Sequence, residues 1–229
     1  MSIEPDIPGP EANVKAPQEQ APPGAIDCHA HVFEAPGEHY LNPGRGYTPP
    51  EATLARYQAM LASLGIARGV IVQPSVYGTV NDCSREAVEA MGANGRGVAV
   101  LDQSVGEDEL QRLHTAGFRG TRFNLVSGGG VDPTEMEAVA ARIADLGWHI
   151  QCFIDHETLV DLLPRLKQMP VDLVFDHLGQ PNAQQGIDQP GFRALRDLLA
   201  NGRAWVKISG AYRVDDGGAP WPLADAFAE

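Results

Sequence analysis

Seven short apolar runs recur along the chain, and each is followed by a longer segment with helical spacing. Several runs, such as Val171–His177, are almost continuous in β-branched or large apolar residues, which is typical of strands buried on both faces of a parallel sheet. Their alternation with helices, at intervals of roughly 20–45 residues, predicts βα units. The predicted strands are Ala25–Phe33, Gly69–Ser75, Gly97–Asp102, Phe118–Leu125, His149–Asp155, Val171–His177 and Ala204–Ser209.

Helix-spaced segments between these strands carry start and stop signals at their ends. Asp82 is expected to cap the second helix, and Pro133 to begin the fourth directly after its cap residue Asp132. Pro164 is expected to kink or restart the fifth helix. The predicted helices are Thr53–Leu64, Asp82–Met91, Glu107–Ala116, Pro133–Leu146, His156–Met169 and Phe192–Ala200.

Polar residues at the strand ends decide between two α/β architectures. No Gly-x-Gly-x-x-Gly follows the first strand, which argues against an open dinucleotide-binding sheet. His, Asp, Arg and Lys residues instead cluster at the carboxyl ends, the active-site edge of a (β/α)8 barrel. A TIM-barrel-like fold is therefore predicted for residues 25–229, after a flexible tail over residues 1–24 that holds six prolines. The sequence ends about twenty residues after the seventh strand, so the eighth strand and final helix are expected to be missing.

Composition narrows the function classes. Thirty acids against 17 lysines and arginines give a net charge of −13, which argues against nucleic-acid binding. No stretch approaches the roughly 20 apolar residues of a membrane span, and the first residues lack the pattern of a signal peptide. Three cysteines without Cys-x-x-Cys spacing favour a reducing cytoplasm over a disulfide scaffold. Cys28 and Cys152, inside predicted strands, are expected to be buried.

Three motifs at strand ends carry side chains suited to catalysis or binding. His29 and His31 are spaced i, i+2 on the first strand and are expected to face the same way, as metal ligands, as a clamp on a substrate carbonyl, or as a hydrogen-bonded core pair. His177 ends the sixth strand and would join the first two on one substrate, or be structural. Arg122 ends the fourth strand and offers a planar fork to a carboxylate, unless a neighbouring acid pairs with it. Arg213 is a second such arginine, or a solvent-exposed one.

Together the segments Ile26–Phe33, Gly120–Asn124 and Asp176–Gly179 resemble the amidohydrolase superfamily, and most closely its amidohydrolase-related branch, which contains the 2-pyrone-4,6-dicarboxylate lactonases. The resemblance runs from about residue 24 to residue 229. It implies a distorted (β/α)8 barrel and metal-independent opening of a lactone in aromatic degradation. The resemblance also implies that His29, His31 and His177 bind the substrate carbonyl. It implies that Tyr47 and Ser75 contact the substrate, and that Arg122 and Arg213 bind its carboxylate.

The chain also departs from these lactonases. Gln180 and Phe153 stand where they have Arg and Tyr, and the loop 125–130 lacks a further Arg, which implies a neutral or singly charged, carboxylated or sugar-derived lactone. Their strand-eight Asp, which activates water, has no counterpart. This leaves Asp176, Asp155 or no residue as the general base, and Asp176 is expected to point away from His177.

A lactone hydrolase is the main prediction, and three alternatives stay open: a lactone isomerase, a metal-dependent decarboxylase and a non-catalytic barrel that binds small acids. A metal-free site is favoured because Arg122 and Phe153 stand where metal-dependent relatives have ligands. A divalent ion such as zinc, held by His29, His31 and His177, is the alternative. A second copy of the chain is expected to cover the open barrel edge, and no nucleic-acid or membrane partner is expected.

Overall fold

A computed structural model describes residues 7–12, 14–35, 37–217 and 220–228. The chain divides into two compact units: unit 1 comprises Met1–Gly120 and Ser127–Val131, and unit 2 comprises Thr121–Val126 and Asp132–Glu229. Strand β4 (Phe118–Asn124) begins in unit 1 and ends in unit 2. Over the described ranges, no helix combines the length and the apolar character needed to cross a bilayer.

Unit 1 alternates strands and helices before β4. In chain order these are β1 (Ile26–Ala30), α1 (Leu54–Leu64), β2 (Arg68–Val72), α2 (Asp82–Met91), β3 (Gly95–Ala99) and α3 (Glu107–Ala116). β1 pairs in parallel with β2, and β2 with β3. Asp27 pairs with Gly69 and Ala30 with Ile71, so three steps along β1 face two along β2. This irregularity changes the direction of side chains at the end of β1.

Unit 2 continues the alternation. After β4 come α4 (Met136–Ile143), β5 (His149–Phe153), α5 (His156–Leu166), β6 (Leu173–Phe175), α6 (Pro190–Ala200), β7 (Ala204–Val206), α7 (Ala211–Val214) and α8 (Pro222–Asp225). β5, β6 and β7 pair in parallel in that order. The backbone N–H of Lys207 donates to the Phe175 carbonyl at 2.8 Å, and that of Leu178 donates to the Lys207 carbonyl at 2.9 Å. Backbone hydrogen bonds between the β6 and β7 segments thus continue past the ends of the two strands, on either side of the candidate residue His177.

Helix caps and apolar faces explain these elements. The Thr53 side chain accepts from the backbone N–H of Arg56 at the start of α1, and Gly65, with a φ of 73°, ends it. Helices α2, α4 and α6 then pack against strands of their own unit, and α7 and α8 pack against each other. Fully or almost fully buried side chains include Leu61, Ile71, Val88 and Leu113 in unit 1, and Val139, Ile150, Leu159 and Phe175 in unit 2.

All seven predicted strands and all six predicted helices are present in the described residues. Helices α2 (Asp82–Met91) and α3 (Glu107–Ala116) have the predicted ends, and the other elements have shifted ends. Asn81, not Asp82, is the cap of α2, because Asp82 already lies in its first turn. α5 continues through Pro164 to Leu166, so the helix does not restart there, and a kink at Pro164 stays a prediction. The fourth helix is α-helical only over Met136–Ile143, between two short 3-10 turns.

The prediction of buried cysteines is wrong for Cys28, which is exposed, and right for Cys152. Cys28 shares a strand face with the exposed Ile26, so β1 presents that face to solvent. Burial, followed by the charge of Asp176, raises the pKa of the Cys152 thiol to about 12. In the described part of the tail, the Pro10 carbonyl accepts from Arg56 and the Ala21 N–H donates to the Leu64 carbonyl. The prediction that residues 1–24 form a separate, flexible tail stays a prediction.

Candidate active site

β1 supports the first histidine through Asp27. One Asp27 oxygen accepts the backbone N–H of His29 at 3.0 Å, and the other accepts the Tyr57 hydroxyl at 3.1 Å. Tyr57 fits because Gly69 has no side chain; a Cβ there would collide with the hydroxyl. Burial, followed by the charge of Asp27, raises the pKa of Tyr57 above its usual range, so the hydroxyl stays a donor.

The rings of His29 and His31 lie against each other in unit 1. Their centroids are 5.0 Å apart and the rings are nearly perpendicular, at 89°. His31 Nδ1 lies 2.7 Å from the Val72 carbonyl oxygen. Because a carbonyl only accepts, Nδ1 carries the hydrogen, and Nε2 of the neutral ring has a lone pair. His31 therefore donates through Nε2 only when its ring is protonated.

Aromatic contacts continue from this pair to Tyr47. Phe33 lies 6.1 Å from the His31 ring, and Tyr47 packs edge-on against Phe33 at 6.4 Å between centroids. Tyr77 contacts Phe33 at 6.1 Å, and Tyr77 shares the short helical turn Ser75–Tyr77 with the buried Ser75. Unit 1 thus brings the candidates His29, His31 and Tyr47 together, with Ser75 in the turn that carries Tyr77.

In unit 2 the Asp176 carboxylate, which is fully buried, binds side chains from three other strands or strand ends. Arg122 reaches one oxygen through Nε at 3.1 Å and Nη2 at 3.0 Å, and Gln151 donates to the same oxygen at 3.0 Å. Lys207 Nζ lies 3.3 Å from the other oxygen and donates to the Gln151 amide oxygen at 2.9 Å. We call these four residues the Asp176 cluster. Arg122 is therefore paired with a neighbouring acid, as the alternative interpretation of the sequence held.

His177 follows Asp176 in an unusual turn. His177, Leu178 and Gln180 have φ values of 52°, 59° and 54°, in the left-handed region, which costs on the order of 1–3 kcal/mol for each such residue. This turn ends the alternation of β6. A carboxylate oxygen of Asp176 and a ring nitrogen of His177 lie within 4.8 Å of each other, so the expectation that Asp176 points away from His177 is wrong. Gly210 borders the turn, and a Cβ on it would lie 3.0 Å from that of His177.

The His177 side chain contacts two neighbours in unit 2. Its Nδ1 lies 3.0 Å from the Ser209 hydroxyl oxygen. Its ring meets the Phe153 ring edge-on, with centroids 5.6 Å apart. Ser209 and Phe153 therefore restrict how the imidazole can rotate.

Phe153 also contacts both candidate arginines. The guanidinium carbon of Arg122 lies 5.1 Å from the centroid of its ring, and that of Arg213 lies 5.4 Å from it. Arg213 is on the exposed helix α7 and also stacks on Tyr212 at 5.3 Å. Unit 2 thus gathers Arg122, Arg213 and His177 around one phenyl ring.

The sequence does not single out Gln151 or Phe153 as site residues, and it places Lys207 only among the polar residues at the strand ends. A polar Gln inside a buried strand and a Lys directly after another were the available signals. Asp155, a candidate base, instead caps α5. Burial opposes its ionisation, but hydrogen bonds from Thr158 and from the backbone of Glu157 lower the pKa of Asp155. A shared action of the unit 1 histidines with His177 stays a prediction.

Comparisons with known proteins identify the family of this chain. Residues 26–229 match a family model described as Amidohydrolase. A 2-pyrone-4,6-dicarbaxylate hydrolase of Comamonas testosteroni is 38% identical over 202 residues, which cover 86% of this chain and 66% of that protein. A D-galactarolactone isomerase of Agrobacterium fabrum is 32% identical over 218 residues, 93% of this chain and 72% of that protein. The chain thus spans slightly less than two thirds of the first relative.

Among solved structures, the chain is similar to a crystal structure of a probable 2-pyrone-4,6-dicarboxylic acid hydrolase from Acinetobacter baumannii with citric acid bound. The TM-score is 0.77 at 30% identity, and the match covers 89% of this chain and 76% of that one. This similarity confirms the TIM-barrel-like α/β fold class that the strand and helix pattern predicts.

Proposed function

Because this chain belongs to the amidohydrolase family, we propose that it opens the ring of a lactone of a small carboxylated or sugar-derived acid. The observation that carries the proposal is the grouping of His177, Arg122 and Arg213 around Phe153. An imidazole suited to a carbonyl there lies beside two guanidinium groups suited to a carboxylate. The Comamonas relative, a hydrolase by name, supports the same reaction class.

In the proposed reaction, hydrogen-bond donors stabilise the lactone carbonyl oxygen as negative charge develops on it. Water adds to the carbonyl carbon, the bond between that carbon and the ring oxygen breaks, and the ring oxygen takes up a proton. The product is a hydroxy acid, which releases one proton at neutral pH. The proposed hydrogen-bond donors to the carbonyl are His29, His31 and His177. Tyr47 and Ser75 are the proposed substrate contacts, and Arg122 and Arg213 are the proposed ligands of the carboxylate.

Proton release at constant pH tests this activity. The purified chain is offered a panel of carboxylated, sugar-derived and neutral lactones, and acid release above the blank rate is expected for at least one carboxylated member. The variant His31→Ala is expected to lose about 10²–10³ in rate, the usual cost of removing one donor to a developing oxyanion. His114→Ala is the matched control, because His114 lies on α3. A His31→Ala variant with undiminished turnover would exclude the proposed role of His31.

A metal-assisted form of the same reaction is the second candidate. It is favoured by the hydrogen bond from His31 Nδ1 to the Val72 carbonyl, because metal-binding histidines commonly donate their other N–H to a backbone carbonyl. His29, His31 and His177 would hold the ion, which would polarise the lactone carbonyl.

Chelation separates the two forms. The metal-free enzyme keeps its activity in a chelator and contains no stoichiometric metal by elemental analysis. Loss of activity in the chelator, restored by zinc, would favour the metal-assisted form.

The proposed setting is a reducing cytoplasm, which the three free cysteines support. The proposed partners are a small-molecule substrate and a second copy of the chain. Large apolar side chains at and after β7 support self-association, since Trp205, Ile208 and Tyr212 are all more than half exposed, at 52%, 66% and 60%. Sedimentation of the purified chain is expected to show a dimer or a larger assembly; a monomer at all concentrations would contradict this partner.

A further inference from the structure

Phe153 contacts three proposed substrate-handling side chains without any polar atom of its own. It is the last residue of β5 and only 4% exposed. The guanidinium groups of Arg122 and Arg213 lie over its ring at 5.1 and 5.4 Å, and the His177 ring meets it edge-on at 5.6 Å. A buried strand residue of this kind has little freedom to move, so its ring is a fixed reference for all three.

The two arginines differ in how else they are held. Arg122 is bound by Asp176 through Nε and Nη2. Arg213 lies on a short exposed helix, and in the part of the chain that the structure describes no carboxylate pairs with it; it stacks on Phe153 and Tyr212. The position of the Arg213 guanidinium therefore depends on aromatic faces, which attract cations through their negative quadrupole.

Stacking leaves the N–H groups of a guanidinium available at its edge, because the contact with the ring uses the planar face. Those edge N–H groups are what a carboxylate binds. On Arg122, the Asp176 bonds use Nε and Nη2, and Nη1 takes no part in them. Nη1 of Arg122 and the edge of the Arg213 guanidinium thus present N–H donors to an anionic group, and the phenyl ring adds none.

We propose that Phe153 is a positioning residue that holds Arg122 and Arg213 as one binding site for an anionic group of the substrate. This inference rests on the proposed function for the identity of the reaction, but the anion site itself does not require turnover.

The test measures binding of two ring compounds that cannot be opened: furoate, which carries one carboxylate, and its uncharged amide, furoamide. Calorimetric titration compares the full chain with Phe153→Leu, which keeps an apolar side chain but has no aromatic face, and with Phe153→Tyr, which keeps the face. We expect Phe153→Leu to weaken furoate binding about tenfold, the effect of losing two cation–π contacts, and to leave furoamide binding unchanged. Phe153→Tyr is expected to stay within about twofold of the parent chain.

Three results would overturn the inference. These are equal weakening for furoate and furoamide, which indicates a packing role only; unchanged furoate binding in Phe153→Leu; and no furoate binding by the parent chain. Circular dichroism and a thermal unfolding scan check the fold of each variant. If Phe153→Leu does not fold, Phe153→Met, a flexible apolar replacement, takes its place with the same expected results.

The same samples separate this inference from the proposed function. A chain that binds furoate through Phe153 but opens no lactone would refute the lactonase and leave the anion site standing. A chain that opens carboxylated and neutral lactones equally well, with furoate binding insensitive to Phe153→Leu, would refute the anion site and leave the lactonase standing. In an active enzyme, Phe153→Leu is expected to raise KM for carboxylated lactones about tenfold.

Discussion

Each unit contains a buried polar cluster at the end of a strand, and the two clusters differ in charge. In unit 1 the Gln73 amide nitrogen donates to the carbonyls of Gly78 and Val80 at 3.2 and 2.8 Å, and its amide oxygen accepts the Ser84 hydroxyl. All of these groups are neutral. In unit 2 the buried polar cluster is the Asp176 cluster, in which a carboxylate pairs with the charged groups of Arg122 and Lys207.

The partners of the two clusters explain what each can do. Gln73 donates to the backbone of the segment just after β2, so the neutral cluster fixes a local loop. The Asp176 cluster joins side chains from β4, β5 and the end of β7, and two of these are cations. The charged cluster therefore sets the orientation of Arg122, whereas the neutral one contributes to stability alone.

The largest expected effect is that of Asp176→Asn. Removing one partner of a buried ion pair leaves the others without compensation and typically costs about 3–5 kcal/mol in the free energy of unfolding. Urea denaturation measures it. Asp172→Asn is the matched control, because the Asp172–Arg203 pair is exposed and such pairs contribute about 0–1 kcal/mol. A cost for Asp176→Asn as small as that of the control would remove the distinction between the two clusters.

Lys207→Met is expected to have the next largest effect. It removes the bond to the Gln151 oxygen and the 3.3 Å contact with Asp176, and hydrogen bonds of charged groups contribute about 1.5–3 kcal/mol. The same denaturation experiment applies. Lys167→Met serves as the surface control, since its pair with Asp197 is long, at 3.7 Å, and exposed. Equal costs for the two lysines would show that Lys207 is not part of the cluster's support.

Ser84→Ala tests the neutral cluster. It deprives the Gln73 amide oxygen of its hydroxyl donor, which is expected to cost about 1–2 kcal/mol of unfolding free energy. Lactone turnover per folded molecule is expected to stay at the parent rate, since no proposed substrate contact depends on this bond. A large loss of turnover in a stable Ser84→Ala protein would show that the neutral cluster also serves the reaction.

The smallest effect is that of the helix cap Asp155, and it depends on pH. Asp155→Ala is expected to cost about 1 kcal/mol at neutral pH. The pKa of Asp155 is lowered in the folded state, so the charge contributes stability above the ordinary carboxyl value, about 3.9, and this contribution is lost as the pH falls through the folded-state pKa. Asp155→Asn keeps an acceptor without the charge. Unfolding free energies should therefore converge for the parent and Asp155→Asn in acid; a constant difference would contradict the sign.

The alternation of strands and helices was predictable because it depends on local features of the sequence, namely the spacing of apolar residues and the residues that cap the helices. Arg122 and His177 were predictable as site candidates because both end buried runs. The errors also have local causes: Cys28 lies on an exposed face of β1, and Pro164 falls too close to the end of α5 for the helix to restart after it.

The clusters themselves were not predictable, because they depend on which strand residues lie side by side. Gln151, Asp176 and Lys207 meet only through the register of β5, β6 and β7. The role of Phe153 further requires the position of α7, which brings Arg213 over its ring. The hydrogen on His31 Nδ1 likewise follows from the contact with Val72 on the neighbouring strand.

Incorporation of solvent oxygen tests the central claim, ring opening of a lactone by water, most directly. The chain is incubated with a carboxylated lactone in water enriched in heavy oxygen, and the product is analysed by mass spectrometry. A hydrolase yields a hydroxy acid with one heavy oxygen atom in the new carboxyl group. A rearranged lactone without heavy oxygen, as from an isomerase, or an unchanged lactone with a folded protein, would contradict the assignment.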